Sequence, residues 1–409
     1  MPVPAMSLST EPSTTDFVSL REYEESPAVT LDQKELVLLS RLPAGRLEIR
    51  PALEVGKYHL RATSWVGAVV LPSMTIQVLP KVVDLRTVLL LFTSSASLVE
   101  WDTSRSPYGR EALVEGIAEL LLHEVEAATR RGLVRGYQHV EERLPVLRGR
   151  LDVQALASRP WDVLPVPCRY DDFTSDVAEN RVLLAAVRQV SRWPVSPVVR
   201  RSTRLLLQRF DGVSDSPAPL LECETVRFSP VNEHYRHAIR LSRLVLEGFG
   251  LTQSSGGLEA HSFLVDMNRL FEQWIGEELS LRLWPDFEVA EQVPVAFSRK
   301  PRVGMTPDLV IRDARGTRLV ADVKYKLTGG LARNEDYYQL LAYATAMELP
   351  AGLLIYCRAD SAPERVITVA GGGQRLHTYP VDLAGDPGGI VVGLDRLADT
   401  VRQLAIARS

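Results

Sequence analysis

The sequence predicts an α+β protein of several domains: a small β-rich N-terminal domain, a mainly helical middle region, and a C-terminal α/β domain with a central mixed sheet. Three observations carry this. Short β-branched runs broken by Gly, Pro and Ser crowd residues 45–80, the pattern of a small antiparallel sheet or barrel. From about Arg86 to Phe249 apolar residues recur mainly at helical spacing, with an extended stretch at Gly136 to Glu142. The last third alternates helix, three strands, helix, strand. At 409 residues the chain exceeds one ordinary core, so two or three domains are expected.

Composition narrows the class. With 45% hydrophobic and 24% charged residues the chain reads as a soluble globular protein of the cytoplasm. A formal charge of −4 argues against a wholly basic nucleic-acid coat, while a local patch would still allow DNA binding. The three cysteines, Cys168, Cys223 and Cys357, lack Cys-x-x-Cys spacing, which excludes a zinc ribbon and fits reduced thiols. No apolar run approaches the roughly 18 residues of a membrane span, and no basic-then-apolar signal opens the chain. There is neither a P-loop nor a G-x-S-x-G elbow, so nucleotide hydrolysis is not expected of this chain.

In order, residues 1–28 are rich in Ser, Thr, Pro and acidic residues and are expected to form a disordered tail. Residues 29–105 form the β-rich domain, with a short helix at Leu31 to Leu42 and strands at Leu47 to Arg50, Tyr58 to Thr63, Trp65 to Leu71 and Thr75 to Leu79. Such a domain suits partner binding better than catalysis. Residues 106–255 form the helical region: Ile117, Leu120, Leu121 and Val125 make one stripe within Glu111 to Arg131, and further helices fall at Asn180 to Val190, Pro197 to Phe210 and Asn232 to Phe249. Residues 256–409 form the last domain. It opens with a helix from about Ser262 to Leu283, then strands at Phe287 to Val293, Leu309 to Arg312 and Leu319 to Tyr325. A helix at Glu335 to Glu348, strands at Gly352 to Cys357, Arg365 to Val369 and Leu376 to Pro380, and a closing helix from about Leu394 to Ile406 complete it.

The chemistry concentrates between Met305 and Lys326. Two β-rich runs joined by Asp313-Ala314-Arg315-Gly316 predict a hairpin. Asp322 and Lys324 lie two apart and share one strand face, and the hairpin brings Asp308 near Asp322. Its register is not set by the sequence, because one residue more or less in the loop changes every pairing. Carboxylates are the hard oxygen ligands that Mg²⁺ prefers, and a neighbouring lysine can stabilise charge on a phosphate. Asp-x-Lys alone is commonplace. With Pro-Asp ahead of it and a hairpin between, the pattern resembles the PD-(D/E)xK nuclease superfamily. That resemblance implies a nuclease fold for the C-terminal domain, a Mg²⁺ cofactor, and Asp308, Asp322 and Lys324 as catalytic residues.

Further candidates follow from the same resemblance. Glu272 stands beside a core stripe of Leu264, Met267, Phe271, Trp274 and Ile275, where a first-helix Glu of such nucleases reaches the metal; a surface carboxylate is the plain alternative. Gln339 and Tyr343 lie one turn apart and are similar to the Gln-x-x-x-Tyr motif of the RecB-like branch. Lys326 falls on the face of Lys324 if the strand continues, to meet a phosphate or simply solvent. His234 and His237 have metal-ligand spacing without a third ligand. The arginines at 181, 188, 192, 200, 201, 204 and 209 could follow a phosphate backbone or pair with the chain's own carboxylates.

Together with Val66-Gly67, Pro80-Lys81, Leu147-Arg148-Gly149-Arg150, Phe173-Thr174-Ser175-Asp176, Glu179-Asn180-Arg181 and Asp336-Tyr337-Tyr338-Gln339, these segments resemble the McrC family. Its members are nuclease subunits of McrBC-type modification-dependent (type IV) restriction systems. The likeness runs over roughly residues 45–400; an N-terminal extension of about 30 residues and a longer C-terminus depart from it. It implies cleavage of DNA carrying modified cytosine, recognition being left to a McrB-like AAA+ GTPase that this chain would stimulate through its N-terminal region. A RecB-like repair nuclease without a motor, or a catalytically silent activator of a partner NTPase, are the rival readings.

Overall fold

The computed structural model describes residues 16–80, 91, 112–159, 161–193, 195–251, 261–296, 304–325, 334–358, 364–383 and 387–407. The N-terminal elements are β1 (Asp16–Arg21), β2 (Val29–Thr30), α1 (Gln33–Ser40), β3 (Leu47–Pro51), β4 (Lys57–Ala62), β5 (Trp65–Val70) and β6 (Met74–Leu79). Helix α1 starts where Asp32 and Glu35 form a reciprocal capping box, Asp32 Oδ1 accepting from Glu35 N–H at 2.7 Å.

The middle holds α2 (Ala112–Thr129), β7 (Gly136–Leu144), β8 (Arg150–Leu151), α3 (Val153–Ser158), β9 (Val166–Thr174), α4 (Ala178–Val190), α5 (Pro197–Leu207), α6 (Pro219–Thr225) and α7 (Arg236–Gly248). The last part holds β10 (Phe249–Leu251), β11 (His261–Asp266), α8 (Met267–Leu283), β12 (Glu288–Glu291), β13 (Val295–Ala296), β14 (Gly304–Met305), β15 (Leu309–Asp313), β16 (Gly316–Lys324), α9 (Asn334–Ala346), β17 (Ala351–Arg358), β18 (Arg365–Thr368), β19 (Arg375–Asp382) and α10 (Pro387–Ile406). The chain is thus a mixture of helices and several sheets, and among the described residues no helix is long and apolar enough to cross a membrane.

Two compact units emerge: residues 1–88 with 248–409, and residues 89–247. In the second unit, the expected stripe of Ile117, Leu120, Leu121 and Val125 is buried. The region also holds a three-stranded antiparallel sheet of β7, β9 and β8, whose first strand falls on the stretch read as extended, Gly136 to Glu142. Asn180, from the Glu-Asn-Arg segment, joins sheet to helices by donating to the carbonyls of Val134 and Ser175.

The first unit corrects three expectations. Residues 16–21 are not tail: β1 lies parallel to β6, and Leu20 is buried there. The helix expected from Ser262 starts at Met267, because His261–Asp266 is strand β11, antiparallel to β5. Asp266 then caps α8, accepting from Asn268 N–H at 3.0 Å. Consequently the β-rich segment is no domain apart from the C-terminal one. Its strands divide between a three-stranded sheet β2-β4-β3 and a five-stranded sheet β1-β6-β5-β11-β10. A six-stranded mixed sheet, β12-β15-β16-β17-β19-β18, carries the rest; β16, β17 and β19 run parallel, the other pairs antiparallel.

Gly67 makes the junction of β5 and β11 possible. Its φ is +145°, and a Cβ there would stand 2.0 Å from the Phe263 carbonyl oxygen, a backbone atom that cannot give way. Gly67→Ala is therefore expected to destabilise the unit by about 3 kcal/mol or more. Thermal unfolding checks this: a melting temperature equal to that of the wild type would refute the close approach.

Candidate functional site

The site is built where β15 begins and β16 ends. These strands are antiparallel, with Leu309 opposite Ala321 and Asp313 opposite Gly316, so Ala314 and Arg315 form the turn. Between Ile311 and Arg312 the register shifts by a bulge. The pairing brings Asp308 beside the end of β16, where its Oδ2 accepts from Val323 N–H at 2.8 Å. The predicted hairpin holds, with the register now fixed.

Asp322 has no exposed surface and is flanked in its strand by the buried Leu319, Val320, Ala321 and Val323. Lys324 Nζ lies 2.8 Å from Asp322 Oδ2, yet neither carboxylate oxygen receives a well-directed hydrogen bond. Burial raises Asp322 to about 7, the Asp308 charge adds to this, and Lys324 opposes it. Burial works against the Lys324 ammonium, but Asp322, Asp308 and Asp336 outweigh it and hold this lysine above its ordinary range.

Glu272 comes from the first half of α8 and is half-buried, not a free surface carboxylate. Its Oε1 accepts a short hydrogen bond from Gln292 Nε2, and the same nitrogen lies 3.3 Å from Asp308 Oδ1. Burial, then the Asp308 charge, raises Glu272 to about 7. Close packing of α8 sets this position: at Gly276, one turn on, a Cβ would lie 2.6 Å from Glu291 Oε1 and 3.1 Å from Leu309 Cδ2.

Gln339 and Tyr343 meet as the spacing predicts, Gln339 Nε2 donating to the Tyr343 hydroxyl at 2.7 Å. That hydroxyl donates to the Thr306 carbonyl at 3.2 Å, so α9 fixes the loop entering Asp308. Lys326 lies outside the described residues. Of the arginines, Arg181 pairs with Asp176 and Glu222, Arg188 with Asp215 and Arg209 with Glu126, so these three are neutralised within the chain. The ring of His234 stands edge-on to Tyr235, and no His or Cys joins it in a metal cluster among the described residues. All three cysteines are buried, and none is in a disulfide.

Two residues escape sequence reasoning. Gln292 has no motif; its role comes from a left-handed backbone, φ +48°, just after β12. Asp336 is buried near Asp322 and Lys324, and only its place beside Gln339 in the sequence hinted at it.

The fit to a cation rests on Asp322. Neither oxygen of this fully buried carboxylate accepts a hydrogen bond, and the Lys324 ammonium, 2.8 Å from one of them, compensates only in part for its burial. Among the described residues no three His, Cys, Asp or Glu are grouped closely enough to hold a metal unaided. A cation that keeps most of its water and takes one or two carboxylates, as Mg²⁺ does, matches this donor set.

Mixed-sheet architecture with acidic side chains and a lysine converging at paired strand ends defines an α+β protein. Residues 60–357 match the family described as McrBC 5-methylcytosine restriction system component, and the chain belongs to that family, which bears out the resemblance drawn from its motifs. No curated protein matches it. Among solved structures, it is similar to a chain of the refined half-complex from the tetradecameric assembly of Thermococcus gammatolerans McrB AAA+ hexamers with bound McrC. The match has 19% identity and a TM-score of 0.53, and covers 94% of this chain and 100% of that one. The cryo-EM structure of the Thermococcus gammatolerans McrBC complex also matches, at 22% identity, 65% and 88% coverage and a TM-score of 0.41.

A carboxyl raised in the folded state keeps a proton that the unfolded chain has released, so stability falls as pH rises from the ordinary carboxylate range to about 7. Glu272→Gln removes that loss. It is expected to raise the melting temperature at pH 8 by about 2–4 °C, on the order of 1 kcal/mol after discounting for partial exposure. Near pH 4 the gain should vanish, and a gain that grows on acidification would contradict the burial of this group.

Proposed function

We propose that this chain is the nuclease subunit of a modification-dependent restriction system, a PD-(D/E)xK endonuclease that cleaves DNA by metal-assisted phosphodiester hydrolysis. The observation that carries the reading is the convergence of Asp308, Asp322 and Lys324 at the joined ends of β15 and β16, in a chain of the McrBC component family.

Asp308 and Asp322, with Glu272 beside them, would hold Mg²⁺. When bound, the ion supplies an acidified water and screens the charge of the scissile phosphate. Asp308 is oriented for this by Val323 N–H. Lys324, kept cationic by three nearby carboxylates, stabilises the negative charge that grows on the phosphoryl oxygens. Glu272, poised near neutrality, can hold or release a proton within the working pH range. Gln339 and Tyr343 keep the loop before Asp308 in place through the Thr306 carbonyl.

As a member of this family without a P-loop, the chain would work with a McrB-like AAA+ GTPase. The motor would recognise DNA carrying modified cytosine and have its GTP hydrolysis stimulated by this chain. The similarity to a structure of McrB AAA+ hexamers with bound McrC favours this arrangement over a nuclease acting alone.

Reconstitution with the motor tests the reading. Asp322→Ala and Lys324→Ala are each expected to lower the rate of DNA cleavage by about 10²-fold or more while GTP hydrolysis by the partner continues. Cleavage at the wild-type rate by both variants would sink the assignment. Mg²⁺-dependent cleavage by the purified chain without nucleotide would point instead to a motor-independent nuclease.

A further inference from the structure

Gln292 stands between the two elements that supply acidic side chains to the site. It follows β12 directly, and its own N–H continues the ladder by donating to the Asp308 carbonyl at 3.0 Å. Its φ of +48° belongs to the left-handed region, where a side chain bearing Cβ is strained. That turn swings the side chain so that a single amide nitrogen meets Glu272 Oε1 on α8 and Asp308 Oδ1 before β15. Asp308's other oxygen is already held by β16. One amide group therefore ties the helix carboxylate to the hairpin carboxylate, although the two repel each other.

We propose that Gln292 is a positioning residue of the cation site: its amide donates to Glu272 and Asp308 together and holds the two carboxylates convergent before a divalent cation arrives. The proposal rests on the reading of this site as a cation site and assigns Gln292 no contact with the ion. Outer partners of this kind fix the direction of a ligand's lone pairs, and removing one characteristically weakens metal binding 10–100-fold. A neutral donor suits the position because a third carboxylate would repel the first two.

The test is a Mn²⁺ titration of the full chain, followed by the EPR signal of the free ion, together with a thermal melt of each variant. Gln292→Ala and Gln292→Gly should both bind Mn²⁺ about 10–100-fold more weakly. The glycine variant relieves the backbone strain and so should melt no lower than the alanine variant. Gln292→Glu keeps the shape without the donor and should also bind more weakly. If Gln292→Gly binds like the wild type, the amide does not position the ligands and the proposal falls. Tighter binding by Gln292→Glu overturns it too, by making residue 292 a ligand. If the wild-type chain binds no Mn²⁺, the cation reading itself fails and this proposal with it. If the wild type binds, Asp308→Asn loses the ion and Gln292→Ala does not, only the role of Gln292 fails.

Discussion

The hydrogen bond from Val323 N–H to Asp308 Oδ2 is the constraint on which the site depends. It closes the hairpin one step beyond its last paired residues, Leu309 and Ala321, using a side chain where a backbone carbonyl would ordinarily stand. Two things follow. Asp308 cannot rotate away from the sheet end without leaving a strand N–H unpaired, and its other oxygen accepts from Gln292, which also meets Glu272. The hairpin thus converts strand register into the direction of a carboxylate.

The packing around it serves the same geometry. On one side α8 comes close enough to bring Glu272 in because Gly276 has no side chain to hold it off Glu291 and Leu309. On the other, α9 settles against β17 at Gly352, where a Cβ would lie 2.8 Å from Leu340. Val320, Leu340, Tyr343, Ala344, Leu354 and Tyr356 form one core cluster there, and Val320 shares a strand face with Asp322 and Lys324. Tyr343 belongs to that core yet ends in a hydroxyl that holds Thr306. An apolar cluster and a polar tether therefore fix the same loop.

Legibility in the sequence followed the distance of the interactions. The hairpin, the stripe of α2 and the Gln339–Tyr343 pair each rest on residues a few positions apart, where period and turn chemistry act directly. The five-stranded sheet does not: β1 pairs with β6 and β11 with β5, and nothing local says that Ser262 to Asp266 prefers strand to helix. Its run of Phe263, Leu264 and Val265 is buried either way. The meeting of Asp308, Asp322 and Lys324 was legible because one short hairpin carries all three, whereas Gln292 is placed by a backbone angle that no residue type announces. Similarly, Arg181, Arg188 and Arg209 read as part of a basic patch until their partners, some 5 to 83 positions away, are placed.

The site is also continuous with the chain's first strand. Tyr325 follows Lys324, is 2% exposed, and donates its hydroxyl to Glu22 Oε2 at 3.3 Å, one residue past β1. Its ring stands 6.0 Å from that of Phe271, the neighbour of Glu272. A carboxylate at 5% exposure is tolerated only with a partner, and with both groups withdrawn from water the contact is not screened as a surface pair would be. Glu22 and Tyr325 therefore hold the end of β1 against the end of β16. Any displacement of the five-stranded sheet must either carry Tyr325 with it or break this contact, and the Tyr325 ring is packed near Phe271, the neighbour of Glu272. Residues 16–80 are in this sense part of the scaffold of the site, in keeping with the grouping of the chain's two ends in one unit and the middle in another.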